Sequence, residues 1–80
     1  LKPEAIFGKV LKSLRTEHGV SQEELAFRAN LDRSYISMLE RGINQPTLSS
    51  LIALAEALGI RTSELLKMVE DELKKIKDSD

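Results

Sequence analysis

Few residues in this chain could do chemistry, and their types narrow what that chemistry can be. His18 is the only histidine and there is no cysteine, so no set of imidazole and thiolate donors exists to hold a metal. A catalytic serine needs a base and an orienting partner. Ser21 lies near His18 in sequence, but it opens the run Ser21-Gln22-Glu23-Glu24, where its hydroxyl is committed to a helix start, and no oxyanion loop or orienting carboxylate accompanies it. A glycine-rich phosphate loop is also missing. What remains is a set of short polar and cationic side chains, Gln22, Arg33, Ser34, Ser37, Arg41, Asn44 and Thr47. They donate and accept hydrogen bonds without making or breaking covalent bonds, which is the chemistry of binding. No enzyme activity and no cofactor is expected.

The elements that must position these groups centre on Ser21 to Gly42. Ser21-x-x-Glu24 is a capping box, in which Ser21 accepts an orphan backbone N–H and Glu24 reaches back to the N–H of Ser21; Val20 and Leu25 are placed for a hydrophobic staple. Leu25, Ala26 and Ala29 mark one buried side, and Asn30 tolerates the left-handed backbone of a helix end. The next helix starts almost at once, with Asp32 as its cap, Leu31 and Ile36 as a second staple, Ile36 and Leu39 facing inward and Gly42 as its stop. A connection of Asn30, Leu31 and Asp32 is too short for antiparallel packing, so the pair crosses steeply as in a helix-turn-helix. Ala26 suits close approach of two backbones.

Around this pair, Phe7, Val10, Leu11 and Leu14 form the stripe of an amphipathic helix ended by Gly19. After a loop from Gly42 to Pro46, Thr47 caps a helix with Leu48, Leu51, Ile52, Ala55 and Leu58 on one face, stopped by Gly59. Thr62 caps a last helix from Ser63 to about Lys77, with Leu66, Val69, Leu73 and Ile76 in helical register and Leu65 and Met68 beside them. A five-helix unit needs only its first two turns, so Leu73 and Ile76 fold back, pair with another subunit or fray. The expected single domain spans 1–80, with a core of about 5–70 and an extension and frayed tail over 71–80.

Eighty residues with 41% hydrophobic and 31% charged describe one folded helical domain rather than a disordered tail. No apolar run approaches the roughly 20 residues of a membrane span, and the start lacks a signal-peptide core, so a cytoplasmic protein is expected. The net charge is −1, whereas nucleic-acid-binding domains are usually basic. Any contact with nucleic acid must therefore depend on placement rather than bulk charge.

From Phe7 to Leu66 the chain resembles the phage repressor and Cro-like (XRE-type) helix-turn-helix proteins. The resemblance rests on Arg15, Gly19, Ser21-Gln22-x-x-Leu25-Ala26, Ile36-Ser37-x-x-Glu40-Arg41-Gly42, Pro46-Thr47-Leu48 and Leu54-Ala55-x-x-Leu58-Gly59. The stretch from Leu31 to Ser37 looks most like restriction-modification controller proteins. The resemblance implies an all-α, compact five-helix lambda-repressor-like DNA-binding domain, with the helix-turn-helix at helices two and three. It also implies that Arg15 reaches Glu40 as a partly buried ion pair; the alternative is two solvated charges worth little.

In the DNA reading the helix from Arg33 to Arg41 enters the major groove. Arg33, Ser34, Ser37 and Met38 face the bases. Tyr35 either touches bases or phosphate or packs its ring along the partner helix. Gln22, Arg41, Asn44 and Thr47 hold phosphates, although Asn44 and Thr47 also read as a turn former and a cap. One module contacts too short a site for specificity, so a homodimer on a palindromic double-stranded operator is expected, through a seam of Leu66, Val69, Leu73 and Ile76. The family implies autoregulation. No small-molecule ligand is expected, so control comes from protein concentration. The rival from another class is a helical protein-interaction module that has lost its DNA face; acids or large apolar groups at the outward positions would favour it.

Overall fold

The computed structural model describes residues 2–78. Five α-helices follow one another, α1 (Pro3–Glu17), α2 (Gln22–Ala29), α3 (Arg33–Glu40), α4 (Leu48–Ala57) and α5 (Thr62–Asp78), with no strand among the described residues. Each contributes to one core: Leu11, Leu25, Ile36, Leu39, Leu54 and Leu65 are almost completely excluded from solvent. Burying such a side chain contributes about 1.5 to 3 kcal/mol, so the six anchor every helix in an 80-residue chain that has little core to spare. α3 is held between α1 and α2, while α4 bridges α2 and α5.

The helix boundaries follow local chemistry. Pro3 starts α1, where its missing N–H costs nothing. Ser21 Oγ accepts the Glu24 N–H at 3.0 Å. The second half of the expected box does not form, because the Glu24 carboxylate turns to Arg28, 3.4 Å away one helical turn later. Asn30 ends α2 with φ 56°, and the Leu31 N–H closes the motif on the Ala26 carbonyl at 2.9 Å. Asp32 occupies the N-cap of α3 but makes no side-chain cap bond. Thr47 caps α4 by accepting the Ser50 N–H. α5 begins at Thr62 rather than Ser63, because Arg61 takes the cap position: Glu64 Oε1 accepts the Arg61 N–H at 2.9 Å.

Two packing details differ from the periodicity. On α4 the core face is Ser50, Leu54, Ala55 and Leu58, whereas Leu48 and Ile52, expected inward, are 69% and 43% exposed. An all-round apolar helix offers more than one face, and the neighbours choose. On α5, Met68, Val69, Leu73 and Ile76 pack against the core, and Met68 and Ile76 line a groove with Ile6 and Val10 of α1. Of the three expectations for Leu73 and Ile76, folding back is observed. Asp78 closes α5, and the rest of the expected tail, Ser79 and Asp80, lies outside the described residues. Among the described residues no helix is long and apolar enough to cross a membrane.

Gly8, which the sequence pattern does not single out, is the contact point of α1 with α3. A Cβ there would stand 2.5 Å from the Leu39 carbonyl oxygen and 2.6 Å from that of Glu40, so only glycine lets the two helices close to this distance.

Candidate nucleic-acid interface

α3 is held along its core face and at its C-terminal end. Ile36 and Leu39 are fully buried, so the opposite face must point outward. At its C-terminal end the Glu40 carboxylate is gripped by Arg15, with Nε donating to Oε2 at 2.7 Å and Nη2 to Oε1 at 3.1 Å. The side chains are 12% and 4% exposed. Arg15 Nη1 also donates to the Val20 carbonyl at 2.9 Å, which ties the α1–α2 turn to the same guanidinium. The hydrogen bonds to Glu40 raise the Arg15 pKa above its ordinary value, with burial opposing.

The same carboxylate accepts from Gln22 Nε2 at 3.0 Å. Gln22 therefore starts α2 with its amide already oriented, and its remaining donor and acceptor stay available beside the recognition helix.

Along α3, Arg33 and Ser34 are exposed at the N-terminal end, while Tyr35, Ser37 and Met38 are half-buried. The sequence alternatives for Tyr35 are resolved in part. Its ring packs against the core, and its hydroxyl lies 3.0 Å from Ser50 Oγ on α4. Asn30, Leu31, Asp32, Ser34, Tyr35 and Met38 border a shallow cleft of about 460 Å³ at the N-terminal half of this face.

Beyond α3, Arg41 is exposed and Asn44 half-buried, with Asn44 Nδ2 donating to Met38 Sδ at 3.6 Å. Thr47 is exposed and spends its acceptor on its own helix. Arg33, Ser34, Arg41 and Thr47 are exposed, and Gln22, Ser37, Met38 and Asn44 are half-buried. Ser50, which joins Tyr35 to Thr47, was missed by sequence reasoning because a lone serine inside an apolar run gives no signal of its partners.

His18 sits at the end of α1. It caps α1, with Nδ1–H donating to the Leu14 carbonyl at 2.7 Å. Among the described residues there is no group of three or more His, Cys, Asp or Glu able to hold a metal.

The sequence pattern of the helix-turn-helix family matches residues 11–65. The immunity repressor protein of Bacillus phage phi105 is 44% identical over 59 residues, covering 74% of this chain and 41% of that protein, so the chain spans less than half the repressor's length. Control protein C.MunI from a Mycoplasma species is 42% identical over 67 residues, covering 82% of this chain and 90% of the control protein. The crystal structure of the restriction-modification controller protein C.AhdI from Aeromonas hydrophila superposes with a TM-score of 0.75 at 47% identity, over 78% of this chain and 94% of the other.

Proposed function

This chain belongs to the helix-turn-helix family, and on that premise we propose that it binds a palindromic operator as a homodimer and regulates its own transcription. The family consists of DNA-binding transcriptional regulators and not of enzymes. The observation that carries the proposal is α3 itself: its apolar side is locked in the core, its Glu40 end is clamped by Arg15, and Arg33 and Ser34 stand exposed at its start. A rigid helix with donors at its N-terminal end is what major-groove reading needs.

In this reading Arg33 offers its planar fork to a guanine, while Ser34, Ser37 and Met38 meet neighbouring base edges, with Tyr35 beside them. Gln22, Arg41, Asn44 and Thr47 hold the phosphates on either side. With a formal charge of −1, binding rests on these placed contacts. Glu40 does not oppose it, since Arg15 neutralises that carboxylate locally. The site of action is the cytoplasm of a bacterial or phage-infected cell.

A second copy of the chain is the partner expected on the apolar face of α4 and α5. Leu48 and Ile52 on α4 and Leu66 on α5 are the exposed members. Val69, Leu73 and Ile76 are shared with the core, so the seam is centred on Leu66 with these three at its edge.

Selection of bound sites from random duplex DNA tests the proposal. Enrichment of an inverted repeat is expected. Enrichment of a single unrepeated site would leave DNA binding and overturn the symmetric dimer, and no enrichment would overturn DNA binding.

A further inference from the structure

Among the described residues Ser50 is the one polar residue in the buried set, 6% exposed, in the first turn of α4. Its Oγ lies 3.0 Å from the Tyr35 hydroxyl and 2.8 Å from Thr47 Oγ1, and its own N–H donates to Thr47 Oγ1. Three hydroxyls in a row carry three hydrogens, and the two contacts between them use two. When Tyr35 donates to Ser50 and Ser50 to Thr47, the spare hydrogen sits on Thr47. In the reverse sense it sits on Tyr35. If both neighbours donated to Ser50, its own hydrogen would be stranded in the interior, which is costly. One free donor thus exists, at one end of the chain or the other.

We propose that Ser50 is a positioning residue that couples a phosphate contact at Thr47 to the seating of Tyr35 in the recognition helix. The inference rests on the DNA reading above. Thr47 is exposed, so a phosphate oxygen can accept its hydrogen. Thr47 Oγ1 then accepts from the Ser50 N–H and the Ser50 hydroxyl and donates outward, the full capacity of a hydroxyl. That bond is charge-assisted and polarises the two behind it. Tyr35 is thereby committed to donate inward, which holds α3 against α4 while the groove is read. Backbone contact and base reading become one event.

The test is a phosphate-by-phosphate scan. Neutral methylphosphonates replace single phosphates of the selected operator duplex, and affinity is measured for the parent chain, Ser50→Ala and Tyr35→Phe. Both substitutions spare the Thr47 cap, and Tyr35→Phe keeps the ring in place; circular dichroism verifies the fold of each. In the parent, the phosphate met by Thr47 should lose about three- to tenfold on neutralisation, the scale of one hydrogen bond. Both variants keep the Thr47 hydroxyl, so each should lose part of the sensitivity at that phosphate, the part its neighbours supply by polarisation, and none elsewhere. A profile unchanged in either variant, even with weaker binding throughout, would overturn the coupling and leave DNA binding intact. A parent that bound no duplex would instead overturn the functional reading, and the coupling with it.

Discussion

Arg15 on α1 holds both carboxylate oxygens of Glu40 on α3, at 2.7 and 3.1 Å, with little solvent at either side chain. The pair joins the first helix to the far end of the recognition helix, and Gln22 of α2 donates to the same carboxylate. Three helices therefore share one anion. Removing either charge leaves the other buried and unpaired, so Arg15→Ala or Glu40→Ala should each cost about 3 to 5 kcal/mol. The double variant should cost less than the sum. Urea midpoints measure this, and losses within about 0.5 kcal/mol of the parent would reduce the pair to surface charges.

Gly8→Ala should destabilise the fold although alanine is the better helix former. The propensity gain is about 1 kcal/mol, but the added methyl would sit 2.5 Å from the Leu39 carbonyl and force α1 away from α3, at about 1 to 3 kcal/mol. A raised melting temperature would show that the helices separate freely.

Arg33 and Arg41 should differ in kind on DNA. Arg33→Ala should weaken the selected operator far more than scrambled duplex, by about 1 to 3 kcal/mol at one base pair per half-site. Arg41→Ala should weaken both alike and lower the salt slope by about one unit for each phosphate it no longer neutralises. Titrations over a salt series on both duplexes separate them, and equal losses for Arg33→Ala would assign it to phosphate.

Leu66 and Leu73 should separate association from folding. Leu66 is 46% exposed, so Leu66→Lys should abolish the dimer in sedimentation with little change in the unfolding midpoint. Leu73 packs against the core, so Leu73→Lys should lower the midpoint as well. An unaltered dimer in Leu66→Lys would move the seam off α5's exposed face.

Much of this molecule was legible in one dimension, because the signals involved are local. Ser21 and Thr47 cap the helices they precede, and Asn30, Gly19, Gly42 and Gly59 take positive φ where the helices end, since capping and left-handed backbone depend on a few adjacent residues. Five helices and their order follow from such signals together with the apolar period. The outward face of α3 followed too, since Ile36 and Leu39 are buried and leave Arg33 and Ser34 exposed and Ser37 half-buried. Where two local options compete, the sequence was less decisive. Glu24 chose Arg28 over the Ser21 N–H, and Arg61 displaced Thr62 as a cap.

What only the tertiary structure decided concerns groups far apart in the chain. By itself, the sequence determined the helices, the turn between α2 and α3 and the family resemblance that paired Arg15 with Glu40. It could not determine which of α4's apolar faces is covered, because Leu48, Ile52 and Leu54 are alike to a periodicity and are told apart only by α2 and α5 packing beside them. Nor could it reveal that Gly8 is the touching point of two backbones, or that Ser50 joins Tyr35 to Thr47. Those are long-range contacts, set by how five helices settle around one core, and no spacing along the chain encodes them.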